Sequence, residues 1–279
     1  MNNVFGPYHI AMPLEIKLAV LDWAGTSIDF GSCAPAYAFV KAFAELGLTV
    51  SLDEARKPMG LHKKDHLRAM LGEREIAEQW QRVKGRAWTE DDVLSLYEIV
   101  TPMQIDAAGS RTTLTPGLFR SVNQLRDRGI KIAHSTGYFT EAAMTVAAMA
   151  NMQGYRADFT ICADDVPAGR PKPWMIFRCM EACDVFPPAA VVKVGDTLVD
   201  IEDGLNAGCW SVGIVDPSNL MGLTEEEFAN LSPREQDERR RVIRRQYRAA
   251  GAHATIDTMT DLPDLIDDLN ARLAKGEKP

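Results

Sequence analysis

Two apolar runs in this chain each end on an aspartate: Leu18-Ala19-Val20-Leu21 on Asp22, and Ala190-Val191-Val192-Lys193-Val194-Gly195 on Asp196. Short runs of this kind read as strands buried on both faces, which belong to a parallel sheet covered by helices. Such sheets bind their ligands at the carboxyl ends of the strands. Both aspartates are therefore placed for chemistry. Gly25 follows the first, allowing close backbone approach to a ligand, and the Thr26 hydroxyl can donate a hydrogen bond to it.

The rest of the chain alternates accordingly. Strand patterns recur at Ile130–Thr136, Phe159–Cys162, Ser211–Val215 and, as an edge, Ala254–Ile256. Between and after them lie helical patterns, 141–150, 172–183, 200–207 and 262–274 among them. Ser232-Pro233-Arg234-Glu235 is a capping box with proline at the first helical position, and Gly251 ends the helix it opens. From residue 36 to about 108 the pattern is helical throughout, with no convincing strand. The expected fold is α/β, a doubly wound parallel (Rossmann-like) sheet core with an inserted α-helical cap domain. The expected division is core 1–31, cap 32–108 and core 109–279, with residues 1–14 a loosely held leader.

The hydrophobic share of 46% and charged share of 25% are those of an ordinary soluble globular protein. A net charge of −8 disfavours nucleic acid and anionic membrane as partners. The arginine run 239–245 lies in a helical pattern beside acidic residues and reads as a solvated face. Five cysteines form no CxxC pair, as in a cytoplasmic protein with reduced thiols. No apolar run approaches the ~20 residues of a bilayer span. The expected location is the cytoplasm.

Four loops at strand ends carry polar residues in order: Asp22, Ser135 or Thr136, Arg170, and Asp196 with Asp200. Two carboxylates with a hydroxyl and a cation between them suit a phosphoryl group with a magnesium ion, a hard ion held by carboxylates and phosphate oxygens. A carboxylate can attack phosphorus, and arginine grips phosphate through paired hydrogen bonds. In these residues the chain resembles the haloacid dehalogenase superfamily. The resemblance implies that Asp22 is the nucleophile and that Thr136, with its neighbours Ser135 and Gly137, binds the phosphoryl group. It also implies that Asp22, Asp196 and the backbone carbonyl of Ala24 hold Mg2+, with Asp200 supporting that site.

The superfamily's phosphatases carry a general acid two residues after the nucleophile, where this chain has Ala24. Its usual lysine is Arg170. Without that acid a phosphatase would be poor, so either the enzyme is impaired or its leaving group is not an alkoxide. Asp22-Trp23-Ala24-Gly25-Thr26, Lys57-Pro58-Met59-Gly60-Leu61-x-Lys63-x-Asp65-His66 and Val166-Pro-Ala-Gly-Arg170-Pro-x-Pro-Trp174 together resemble the phosphonoacetaldehyde hydrolases of that superfamily. The resemblance implies that Lys63 forms a Schiff base, that His66 and Tyr138 assist it, and that Met59 lines the site. It implies that Arg170 contacts the phosphonate of a small-molecule substrate, and that the enzyme is a homodimer. A magnesium phosphatase or phosphomutase acting on a phosphorylated metabolite is the alternative. His62 and His134 are expected outside the chemistry, and Trp23 is expected to pack between core and insertion.

Overall fold

The computed structural model describes residues 14–279, so all but the last residue of the expected leader lies outside them. Six strands, β1 (Leu18–Leu21), β2 (Lys131–Thr136), β3 (Phe159–Cys162), β4 (Val191–Gly195), β5 (Trp210–Ile214) and β6 (Ala254–Ile256), form one sheet in the order β3-β2-β1-β4-β5-β6. Every pairing is parallel, with Leu18 opposite both Lys131 and Val191. The strand order reverses at β1, so the crevice for a ligand opens at the carboxyl ends of β1, β2 and β4. Asp22 and Asp196 stand there.

Alternation along β1 explains the layering. Ala19 and Leu21 pack with α6 (Leu118–Asp127), α7 (Thr140–Met152) and α12 (Leu262–Ala274). Leu18 and Val20 face the other way, onto Met175, Ile176 and Cys179 of α8 (Trp174–Cys183). Beside them α9 (Leu198–Asn206), α10 (Glu225–Ala229) and α11 (Pro233–Ala249) pack through Ile201, Phe228, Ile243 and Tyr247. The Ser232 box is formed, its side chain accepting from the Glu235 N–H and Glu235 reaching back to the Ser232 N–H. All five cysteines are buried and unpaired. No helix among the described residues is long and apolar enough to cross a membrane.

After β1 the chain leaves the sheet for five helices: α1 (Cys33–Glu45), α2 (Leu52–Arg56), α3 (Lys63–Gly72), α4 (Arg74–Lys84) and α5 (Glu90–Ser110). They enclose an apolar cluster of their own, including Phe39, Phe43, Leu67, Met70, Trp80 and Leu96. Each such side chain contributes about 2 kcal/mol on burial, so the cap holds itself together rather than borrowing the sheet's core. The return from α5 is stitched to the exit from β1: Thr115 donates its N–H to Ser27 O (2.9 Å) and its hydroxyl to Thr26 O (2.6 Å).

Some boundaries differ from the sequence reading. α8 begins at Trp174 rather than Lys172, because Pro171 and Pro173 disfavour helical geometry in the residues before them. α9 begins at Leu198 rather than Asp200, because Thr197 is its N-cap. α5 runs to Ser110, just past the helical pattern that was expected to end at about 108, and contact with α1 and α7 carries it past Pro102.

Candidate active site

A cavity of about 20 Å³ lies between cap and sheet. From the core it is lined by Asp22, Ala24, Thr136, Gly137, Tyr138, Arg170, Asp196 and Thr197, and from the cap by Pro35, Met59, Gly60 and Lys63. Each core residue follows or ends one of the three central strands or sits in the loop before α8. Two glycines make the fit possible. A Cβ at Gly25, whose φ is +76°, would lie 2.1 Å from Asp196 Oδ2. A Cβ at Gly137 would lie 2.8 Å from the carbonyl oxygens of Gly60 and Leu61, so the cap loop rests directly on the core loop.

Under the cavity lies a buried charge cluster. Arg170 donates from Nη2 to Asp22 Oδ1 (2.7 Å), and its Nη1 pairs with Asp200 Oδ1 (2.9 Å). The same Nη2 reaches the Ser135 hydroxyl at 3.1 Å. Lys193 Nζ meets Asp200 Oδ1 at 2.8 Å, and Asp203 Oδ2 stands 3.5 Å from Arg170 Nε. Asp200 holds its place through the α9 capping box, its Oδ2 accepting from the Thr197 hydroxyl at 2.6 Å. Burial alone would raise the Asp200 pKa, but Arg170 and Lys193 outweigh it and hold the carboxyl below its usual range. Burial pushes Asp203 up to about 7.

One oxygen each from Asp22, Asp196 and Asp200 lies within 4.8 Å of the other two. Burial, then the charges of Asp22 and Asp200, push the Asp196 pKa well up. Closely spaced hard oxygen donors that repel one another fit a divalent cation, whose charge removes the repulsion. Only Asp22 and Asp196 of the three face the cavity; Asp200 is turned beneath them onto the two cations.

Lys63 opens α3, with His62 as its N-cap, and is 3% exposed. Its ammonium lies 5.0 Å from the Tyr138 ring centroid and 5.5 Å from that of Phe39, and it makes no ion pair among the described residues. Burial lowers its pKa to about 8, against the opposing pull of Asp22. Tyr138 is pushed well above its ordinary value by burial and keeps its proton. His66, one turn along α3, is fully buried and stacked on Phe39. Its Nε2 donates to Ala55 O at 3.0 Å, which leaves the neutral ring's Nδ1 lone pair without a partner. Burial and the neighbouring Lys63 charge hold it well below the usual imidazole range.

The structure thus gathers Asp22, Ala24, Met59, Lys63, Thr136, Gly137, Tyr138, Arg170 and Asp196 at one cavity. Gly25, Ser135, Asp200 and His66 stand directly behind that lining. Thr26 is not among the lining residues: it is fully buried, its carbonyl accepts from Thr115, and its hydroxyl has no partner among the described residues. His62 bonds Asp164 (3.1 Å) and His134 bonds the Tyr155 hydroxyl (2.6 Å), both outside the cavity. Trp23 stacks on His134 at 3.7 Å inside the sheet's core, not between core and cap. Lys193 and Asp203 were not singled out from sequence. A lysine inside a strand otherwise apolar, and an aspartate one turn after Asp200, were the available signals.

The fold and site define a class: residues 16–208 match the model of the haloacid dehalogenase-like hydrolases. The chain is 40% identical over 264 residues to a phosphonoacetaldehyde hydrolase of Syntrophobacter fumaroxidans, covering 95% of both chains. It is 42% identical over 254 residues to one of Bacillus cereus, covering 91% of this chain and 96% of that one. A crystal structure of a phosphonoacetaldehyde hydrolase-like protein from Oleispira antarctica superimposes with a TM-score of 0.93 at 41% identity, covering both chains in full. The chain belongs to the phosphonoacetaldehyde hydrolase family of the haloacid dehalogenase-like hydrolases.

Proposed function

We propose that the protein cleaves the C–P bond of phosphonoacetaldehyde to acetaldehyde and phosphate through a Schiff base on Lys63 and a phosphoryl group carried on Asp22. The observation that supports it most is Lys63 itself: a buried lysine with a lowered pKa, facing the cavity that Asp22 lines from the opposite side. A C–P bond cannot break as an ester does, because the carbon would leave as an unstabilised carbanion. The neutral Lys63 amine adds to the aldehyde and, with one proton taken up from solvent, water departs, giving an iminium. The C–P electron pair then moves into the iminium to form an enamine, while an Asp22 oxygen bonds to phosphorus. Water releases phosphate from Asp22. Protonation at the enamine carbon and hydrolysis return acetaldehyde and Lys63. No acid is needed at residue 24, since carbon rather than an alkoxide takes the proton.

Tyr138, which keeps its proton, donates near the Lys63 nitrogen, and the Nδ1 of His66 is a hydrogen-bond acceptor on the same helix as Lys63. Thr136 and the Gly137 backbone cradle the phosphonate, and Met59 closes the cavity from the cap. Arg170 orients Asp22 and offsets charge on the phosphonate. In this reading Asp22, Asp196 and the Ala24 carbonyl hold Mg2+, with Asp200 positioning its surroundings. When bound, the ion supplies positive charge to the phosphoryl oxygens as they approach Asp22. A homodimer belongs to the same reading.

Sodium borohydride added with phosphonoacetaldehyde tests the reading. It is expected to inactivate the enzyme irreversibly and to label Lys63, not Lys57 or Lys64, on peptide mapping. Turnover without any trapped lysine would refute the Schiff base.

Two further outcomes follow from the site's charges. Lys63 must be neutral to attack, and its pKa is lowered to about 8. The logarithm of kcat/KM should therefore rise with unit slope below pH 8 and flatten above it; a rate flat from pH 6 to 9 would remove Lys63 from the attack. Chelation should abolish phosphate release and added Mg2+ restore it. Full activity after exhaustive chelation would give Asp22 and Asp196 some other purpose.

A further inference from the structure

Apart from the reacting groups, one buried cation of the cap is tied to the core. Arg56, the last residue of α2, is 9% exposed and makes no ion pair among the described residues. Its Nη1 donates to Gly31 O (2.6 Å) and Ser32 O (3.2 Å), where the chain leaves the core for the cap. The same nitrogen donates to Asn219 Oδ1 (3.1 Å), and Nη2 donates to Gly222 O (3.3 Å). Asn219 answers by donating Nδ2 to Arg56 O at 3.2 Å. Asn219 belongs to the loop after β5, and its backbone N–H donates to Asp196 Oδ2 at 2.9 Å. A line of hydrogen bonds thus runs from a cap residue to a carboxylate that lines the cavity. It borders a second cavity of about 640 Å³ between cap and core, which shares Met59 and Thr197 with the first.

A guanidinium buried on carbonyl and amide oxygens and the Cys33 sulfur (3.4 Å), with no carboxylate at ion-pair distance among the described residues, loses its water without a paired counter-charge, so apolar packing would hold the cap at lower cost. What the planar fork adds is direction. Its acceptors come from the linker, from Asn219 and from Gly222, and they converge on Arg56 when α2 lies against the core. We propose that Arg56 and Asn219 form a latch through which the docked cap holds the loop that orients Asp196, making both of them positioning residues. The turnover arm of the test rests on the function proposed above; the latch itself does not.

Asn219→Ala is the informative variant, because it removes both side-chain bonds to Arg56 and keeps the backbone N–H on Asp196. In the Mg2+-loaded full chain, hydrogen exchange at residues 55–62 and 216–222 is expected to quicken at least tenfold, with amides of α4 and α5 at wild-type rates. Wild-type exchange at 55–62 would overturn the latch. Asn219→Ala and Arg56→Ala should each lower kcat/KM for phosphate release at least tenfold. The double variant should lose no more than the worse single, since both break one link. Losses that multiply would show independent roles and also overturn it. If the wild-type enzyme releases no phosphate from phosphonoacetaldehyde, the functional reading fails and hydrogen exchange alone judges the latch.

Discussion

Asp22→Asn is expected to reduce phosphate release more than a thousandfold while the protein stays folded. The amide oxygen can still accept the Arg170 hydrogen bond that Asp22 Oδ1 takes at 2.7 Å. Asp200 and Asp203 remain to compensate the guanidinium. The substitution therefore spares the buried cluster and removes two other things: an oxygen nucleophile able to form an acyl phosphate, and a charged ligand for the cation. Closing the covalent route raises the barrier by about 4 kcal/mol or more at this fold-change. Stopped and continuous phosphate assays would measure it, with circular dichroism as the control for folding. An Asp22→Asn enzyme within a hundredfold of wild type would show that the phosphoryl group travels without this carboxylate.

Lys63→Arg should be as inactive as Lys63→Ala, with both more than a thousandfold below wild type. Arginine keeps the positive charge near Asp22, but a guanidinium stays protonated and does not condense with an aldehyde. A lysine that only steered an anion would be largely rescued by arginine. Neither variant should be labelled by borohydride in the presence of substrate. Substantial turnover by Lys63→Arg would refute the Schiff base at this residue and favour an ordinary phosphatase. The environment predicts that the arginine is tolerated structurally: Phe39 and Tyr138 already flank the Lys63 ammonium, and aromatic faces accept a guanidinium.

The buried cluster also explains why an arginine rather than a lysine occupies position 170. Three carboxylates, Asp22, Asp200 and Asp203, approach it from different sides, at 2.7, 2.9 and 3.5 Å. A planar fork reaches all three, whereas a single ammonium could not. Lys193 takes up the remaining contact to Asp200. Burial would lower the Arg170 pKa, but these carboxylates outweigh it and hold the guanidinium protonated.

The sequence by itself determined the sheet and the order of the chemistry along it. A run such as Leu18–Leu21 is apolar on both faces, and Val191–Val194 is apolar but for Lys193; with helical patterns between them, such runs fit a covered parallel sheet. Strand ends are then loop positions, so Asp22, Asp196 and the pair Ser135 or Thr136 were legible as candidate site residues from their place at strand ends. The helix cap at Ser232 was local as well, closed by Glu235 three positions on, whereas the cap at Thr197 emerged only in the structure. Only the tertiary structure decided which charges meet. Arg170 and Asp22 are 148 residues apart, and Arg56 and Asn219 are 163 apart. No periodicity carries information over such separations. The pKa of Lys63 belongs to the same category, because it is set by the water that Phe39, Tyr138 and the core loop exclude, and desolvation is a property of the packed site rather than of the residues beside Lys63 in the chain.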